Sequence, residues 1–304
     1  MSGATVQASF AGWDMTEPGI GTAYLVMLVG VACAVHSLWL VRTSRSTIDS
    51  LVSSFALFAL LEGLTGGFAA IAHHMLATTY WGHQAMTKSW GHANAEWMMP
   101  WAAAAAVGPL ASASCLTNAI VFSGPGVECI RWVKLVGLLV SVVEVYFAVI
   151  DPDKMGTLSA YWAVATSAAS CGVLLQRGPT TPGFFTCESG YFVRGIAYLV
   201  KIIVPAACHA NADLHVVHTD AGEYYRMYHS TGRCWYPKAF SQLAWFHTFI
   251  VVSVLLIYCG TLLKLDLLQL RPLFGHPMYL DAAERTWPTQ PMTYKDNNRR
   301  CCGP

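Results

Sequence analysis

A chain of 304 residues that is 55% hydrophobic and only 12% charged lies outside the range of soluble domains, which carry about 25% charged residues. Mean hydropathy is +0.44, and apolar runs recur along the whole chain rather than in one anchor segment. The net charge of +1 gives no sign of a polyanionic partner. Disordered, nucleic-acid-binding and ordinary cytosolic readings are therefore set aside, and an all-α, polytopic membrane protein in contact with the lipid bilayer remains.

A bilayer core of roughly 30 Å takes about 20 apolar residues of helix. Seven runs meet or approach that length: 20–41, 51–73, 97–122, 135–150, 158–176, 191–208 and 242–263. The fourth is short but extends back through Ile130 and Trp132, with Arg131 and Lys134 free to snorkel. The fifth is rich in Ala and Ser, and small residues let helices approach closely in lipid, so it reads as an interior helix. The expected organisation is a polar N-terminal segment over 1–19, a seven-helix transmembrane domain over 20–263 and a polar, Pro-punctuated tail over 264–304.

Seven spans put the two ends on opposite sides. The side holding the N-terminus carries five basic residues in its loops, Lys88, Lys154, Arg226, Arg233 and Lys238, against twelve on the other, with Lys201 inside a span. The positive-inside rule then places the N-terminus outside and the tail in the cytoplasm. No cleavable signal is expected, because residues 1–19 lack a basic n-region and Asp14 and Glu17 precede the first span. Integral membrane localisation follows, with endomembrane, plasma and organelle membranes all open.

The ten cysteines are scattered, without a CxxC pair. Cys208 and Cys234 flank the sixth loop on the oxidising side and are candidates to bridge it. Cys301 and Cys302 follow Arg299 and Arg300 in the tail and are candidates for S-palmitoylation.

Of eleven histidines, His36 lies near the inner end of the first span and His276 in the tail. The other nine, His73, His74, His83, His92, His209, His215, His218, His229 and His247, fall at the outer ends of spans or in the two loops between them. Glu96, Asp213, Asp220 and Glu223 lie in the same regions. A short echo appears there: His92-Ala-Asn-Ala-Glu96 opens span three, and His209-Ala-Asn-Ala-Asp213 closes span six. Each places an imidazole and a carboxylate at i and i+4, on one face if the segment is helical. Imidazole and carboxylate without clustered thiolate suit zinc, iron, copper or nickel, so His73, His92, Glu96, His209 and Asp213 are candidate metal ligands. The competing reading is a hydrogen-bonded outer vestibule with no metal.

An ionisable side chain deep in a membrane is expensive unless partnered, and is a functional candidate by default. Glu62 falls in the middle of span two, Glu144 in the outer part of span four, Lys201 in the middle of span six and His247 just inside span seven. Glu62 or Glu144 with Lys201 would make a buried ion pair, for bundle registration, proton relay or headgroup binding. A retinal Schiff base is disfavoured, because span seven has no lysine before Lys264. Heme needs two facing imidazoles, for which His92 with His247 or His209 is the available choice. The ceramidase and adiponectin-receptor class of seven-helix hydrolases sets three histidines, an aspartate and a serine around zinc. Its HxxxH in the last helix is missing here, leaving His73, His92, His209 and Asp213 as alternative ligands.

Several motifs together resemble the transmembrane protein 45 family of eukaryotic seven-helix proteins. They are Trp90-Gly-His92 entering span three, Glu62 in span two and Glu144 in span four. Asp153-Lys-Met155-Gly156 with Tyr161 opens span five, Phe192-Val-Arg194 opens span six, and Trp245-Phe-His247 opens the last helix. The resemblance covers about residues 50–260. The family's histidines after the span-four glutamate are replaced by Asp151 and Asp153. The resemblance implies a multi-pass protein without a settled activity, with Glu62, His92, Glu144, Arg194 and His247 as interior residues; Arg194 enters on this ground alone. Three functions follow: a binding or transport-like protein with an outward-facing His/carboxylate vestibule for a metal or small polar ligand, a structural or accessory subunit with membrane-protein partners, and a zinc-dependent lipid hydrolase.

Overall fold

The computed structural model describes residues 9–10, 13–14, 17–43, 49–83, 95–124, 127–150, 152–176, 181–209, 213–219, 222–228 and 242–265, with side chains over 19–42, 50–75, 99–124, 128–148, 155–176, 181–202 and 243–265. Several expectations lie outside the described side chains: the Cys208–Cys234 bridge, Cys301 and Cys302, residues 266–304 of the tail, and His83, His92, Glu96, His209, Asp213, His215, His218, His229 and His276.

Among the described residues there are seven helices: α1 (Glu17–Thr43), α2 (Asp49–His83), α3 (Ala95–Ser123), α4 (Val127–Ile150), α5 (Pro152–Leu175), α6 (Phe184–His209) and α7 (Gln242–Lys264). Five of them, α1, α2, α3, α5 and α7, are long and apolar enough to cross a membrane. The other two carry more charge: Arg131, Lys134 and Glu144 on α4, and Glu188, Arg194 and Lys201 on α6. Strands were not expected. Ser9–Phe10 (β1) pairs with Trp13–Asp14 (β2). Between α6 and α7, Asp213–Thr219 (β3) and Gly222–Tyr228 (β4) form an antiparallel hairpin in which Thr219 faces Gly222.

The helices run up and down. Gly30 of α1 meets Gly63 of α2 while Val26 meets Gly66, so the two are antiparallel. Ser54 of α2 reaches Asn118 of α3, whereas His73 meets Trp101, again antiparallel. Tyr198 of α6 stacks edge-on against Phe246 of α7, whereas Gly183 meets Gly260 at the other end. Close contacts run α1–α2–α3–α5–α6–α7, and α1 packs on α7 to close a ring. Helix α4 lies outside that ring against α3 and, less extensively, α5.

The bundle therefore has two ends. His73, His74, Trp101, Lys201 and His247 gather at one. His36, Phe122, Tyr258 and Lys264 gather at the other, where Tyr258 hydrogen-bonds His36 and the Lys264 ammonium donates to the carbonyl of Phe122.

Small residues bring the backbones together, because lipid supplies no hydrophobic drive between helices and close van der Waals packing must do so. A Cβ on Gly30 would stand 2.6 Å from the Ala59 carbonyl oxygen and 2.7 Å from Gly63 Cα. Two prolines, Pro100 and Pro109, sit inside α3; the Trp162 indole of α5 donates to the Pro109 carbonyl at 3.1 Å.

Helix α4 shows the division between protein and lipid faces most plainly. Its buried described positions are Gly137, Ser141, Glu144 and Ala148, at the i, i+4, i+7, i+11 spacing of one helical stripe. Leu138, Leu139, Val142 and Tyr146 on the remaining surface are more than half exposed. A Cβ on Gly137 would meet Ala113 of α3 at 2.6 Å, so the glycine sets the approach and Glu144 is the one long side chain carried inward.

Replacing Gly30 with valine forces α1 and α2 apart. Overpacking of this kind costs about 1–3 kcal/mol, so Gly30→Val is expected to lower the thermal midpoint of the purified protein, whereas Gly21→Val, where no atom lies within 4 Å of a Cβ, is expected to leave it unchanged.

Candidate functional site

One face of α6 is polar along the length of the bundle interior. Tyr191, Arg194, Tyr198 and Lys201 recur at i, i+3, i+7 and i+10, which keeps them on one side of a helix. Opposite them stand hydroxyls, an amide and two carboxylates from four other helices.

The centre of this column is Arg194, a guanidinium with 0% exposure. One terminal nitrogen of the fork, Nη2, bonds Glu62 Oε2 at 3.0 Å and Ser112 Oγ at 2.9 Å. The other, Nη1, donates to Ser167 Oγ at 3.1 Å and to the Ala163 carbonyl at 3.4 Å. The Tyr198 hydroxyl donates to the second oxygen of Glu62 at 3.3 Å, and the tyrosine ring lies 4.9 Å from the guanidinium carbon. Nε is the one guanidinium nitrogen without a hydrogen bond. Arg194 thereby ties α6 to α2, α3 and α5 at a single depth. A planar fork of five donors suits this task where a lysine point charge would not.

Towards the His36 end, the fully buried Asn118 amide continues the column. Its nitrogen donates to the Tyr191 hydroxyl at 2.9 Å, and its oxygen accepts from Ser54 at 2.8 Å.

Towards the other end lies a looser group of ionisable side chains. Lys201 Nζ sits 5.2 Å from the centre of the Phe246 ring. It is within electrostatic reach of Glu144, His73 and His247. Glu144 is 0% exposed, yet neither of its oxygens has a hydrogen bond; the Ser159 hydroxyl of α5 stands beside it without meeting hydrogen-bond geometry. His247 Nδ1 lies 3.3 Å from the Gly19 carbonyl and 3.4 Å from Thr22 Oγ1. A carbonyl only accepts, so Nδ1 carries a proton. His73 packs edge-on against Trp101 with ring centres 5.8 Å apart, and His74 meets the Tyr24 hydroxyl at 3.3 Å.

Depth in the sequence points to Glu62, Glu144, Lys201 and His247, and the family resemblance adds Arg194; Glu62, Glu144, Arg194 and His247 are buried and Lys201 is half-buried. The pairing differs from the expected one. Glu62 bonds Arg194 rather than Lys201, because Arg194 sits about two turns below the lysine at the level of Glu62. The neutral partners Ser112, Ser167, Tyr198, Asn118 and Tyr191 were missed, although the Tyr-x-x-Arg-x-x-x-Tyr-x-x-Lys spacing on α6 is legible once a helix is assumed.

Of the candidate metal ligands, only the His73 side chain lies among the described ones. There, no group of three or more His, Cys, Asp or Glu side chains is placed to hold a metal. His209 is the last residue of α6 and Asp213 the first of β3, so the second His/carboxylate echo does not lie on one helical face. Glu96 falls in the first turn of α3.

Comparison with models of known protein families, with curated proteins and with solved structures gives no match. Fold and site define the class: a helical protein with five helices able to cross a membrane and a polar column inside its bundle, which fits a multi-pass membrane protein.

Removing one partner of a buried ion pair leaves an unpaired charge and costs about 3–5 kcal/mol, whereas replacing both with apolar groups costs much less. Glu62→Leu and Arg194→Met are each expected to lower the thermal midpoint strongly, and the double variant is expected to melt above either single one in the same unfolding assay.

Proposed function

We propose that the chain crosses the membrane seven times with its N-terminus outside, and that its histidine-bearing end is an outward-facing vestibule that binds a small polar ligand. The up-and-down order of all seven helices supports seven crossings, with the charges of α4 and α6 turned inward or placed near their ends. Arg42, Arg131, Lys134 and Lys264 all belong to the His36 end of the bundle, so the positive-inside rule puts that end in the cytoplasm.

The observation that carries the binding role is Glu144. A carboxyl group held inside a bundle with neither oxygen hydrogen-bonded is costly in lipid and is a functional candidate by default, since a buried unsatisfied group calls for an explanation. It stands with Lys201, His73 and His247, contributed by four different helices. Of the five positions matched in the resemblance to the transmembrane protein 45 family, Glu62, Glu144, Arg194 and His247 are buried, and the fifth, His92, lies outside the described residues.

Sidedness and access are tested together. In a cysteine-free version of the full chain in intact cells, Lys201→Cys is expected to react with a membrane-impermeant thiol reagent added outside, while His36→Cys reacts only after permeabilisation. The reverse pattern overturns the orientation, and no reaction at position 201 from either side overturns the vestibule.

A further inference from the structure

Helix α4 is held to the bundle differently from the other six helices. Arg194 bonds α6 to α2, α3 and α5, the Trp162 indole bonds α5 to α3, and His247 and Tyr258 of α7 meet Gly19 and His36 of α1. Among the described side chains of α4, the one hydrogen bond runs from Ser141 to the Gly137 carbonyl of its own helix. No described ion pair involves α4; the described pair is Glu62 with Arg194. Helix α4 is therefore seated by the packing of Gly137, Ser141 and Ala148, and by Glu144.

Glu144 has 0% exposure, and neither of its oxygens is hydrogen-bonded. The groups facing it are the Ser159 hydroxyl of α5 and, on α6, the Lys201 ammonium and the Tyr198 hydroxyl. Tyr198 already donates to Glu62, and Lys201 stands over the Phe246 ring at 5.2 Å without an ion pair to Glu144. His73 of α2 and His247 of α7 act on Lys201 rather than on Glu144. On α3 the described titratable side chain is Cys115, beside Arg194. On α5, Tyr161 is exposed, and Asp153 and Lys154 of the first turn lie outside the described side chains.

A carboxylate without water, a bonded donor or a counter-ion in contact costs far more than a neutral acid in the same seat, so the group sheds its charge or leaves. Both routes are open. A proton is a ligand that an enclosed carboxyl holds without a cavity. Leaving breaks no described polar bond of α4, and the outer surface of the helix is already apolar, with Leu138, Leu139, Val142 and Tyr146 more than half exposed. Glu144 lies six residues before Ile150, the last residue of α4, about 9 Å along the axis at roughly 1.5 Å per residue, so a turn of the helix brings it towards water at the histidine-bearing end.

We infer that Glu144 is a proton-binding site that seats α4: with the proton on, α4 lies against α3 and α5, and with the proton off, α4 lifts and carries the carboxylate to water. In the releasing step the O–H bond of Glu144 breaks, the proton passes to water and the bonding pair stays on the carboxylate. The seated form holds one proton more than the lifted form, so rising pH favours lifting, by at most about tenfold per pH unit. Seating of this kind requires α4 to lie in the membrane, as proposed above, and requires neither a bound ligand nor a particular orientation.

The test uses the purified full chain in lipid nanodiscs over about pH 4 to pH 10, the span between free glutamate and free lysine. The infrared carbonyl band of a protonated carboxyl is taken as the difference between wild type and Glu144→Gln. Backbone deuterium exchange across Val127–Ile150 is read by mass spectrometry relative to α3, which removes the intrinsic pH dependence. Wild type is expected to show a carboxylic band that Glu144→Gln lacks and that fades as pH rises. Exchange in α4 is expected to quicken relative to α3 over the same interval, by up to about tenfold per pH unit. Glu144→Gln, whose amide cannot ionise, is expected to keep α4 protected throughout. A band absent at every pH overturns the proton site. Loss of the band with α4 still protected means that Glu144 ionises in place, which overturns the lifting, as does the same pH dependence of exchange in Glu144→Gln. If that variant does not fold, wild type decides: an unchanging ratio of α4 to α3 exchange overturns the inference. Free exchange of α4 at every pH overturns the seven-crossing reading together with it.

Discussion

A guanidinium in the middle of a helical bundle that meets lipid dominates the structure. Arg194 is fully buried, and the penalty for stripping a charge of water amounts to several kcal/mol even after relaxation. Three neighbouring helices answer that penalty. Helix α2 supplies the counter-charge from Glu62, α3 a hydroxyl from Ser112, and α5 a hydroxyl and a carbonyl from Ser167 and Ala163. The result is a fixed register, since sliding any of the four helices by one turn breaks at least one of these bonds. Apolar surfaces alone give no such register, because one leucine-rich face in lipid packs nearly as well as another. The glycine contacts of α1 with α2 and of α6 with α7 then set how close the remaining helices come.

Much of this was legible in the chain before any coordinates. Depth inside an apolar run is a strong signal for charged residues, so Glu62, Glu144, Lys201 and His247 stood out. The partners of Arg194 did not. Serine in an Ala-rich helix reads as a small packing residue, and tyrosine reads as an interfacial anchor, so Ser112, Ser167 and Tyr198 carried no mark of being hydrogen-bond donors and acceptors to a buried charge. Which acid meets which base was also beyond reach, because pairing depends on the rotation and relative height of two helices more than a hundred residues apart in sequence. The β3–β4 hairpin had its own signal in the Val- and Tyr-rich runs on either side of Asp220 and Ala221. That signal was overshadowed by reading the segment for its histidines. The same emphasis produced the expected metal face at His209 and Asp213, which presumed a helix continuing where a strand begins.

Helix α4 illustrates how a membrane protein divides one element between two solvents. Three of its four buried described positions are glycine, serine and alanine, and the fourth is a glutamate. A helix that needed only to cover the bundle would carry leucine there, as its outer surface does. Small residues bring its axis close to α3, and closeness lets a side chain of glutamate length pass between α3 and α5 towards groups on α6. The peripheral position of α4 and the interior position of its acid are therefore two aspects of the same packing.

The saturated pair below the open one has a consequence for passage. One or two turns below the histidine-bearing end stands a permanent positive charge whose terminal nitrogens are fully occupied, with the Asn118–Tyr191 hydrogen bond beneath it. Nothing in this arrangement hands a solute onward, and dislodging Arg194 means surrendering four hydrogen bonds at once. With the helices held as they are, Arg194 and its partners act as a polar bolt at mid-depth that separates the two ends of the bundle interior.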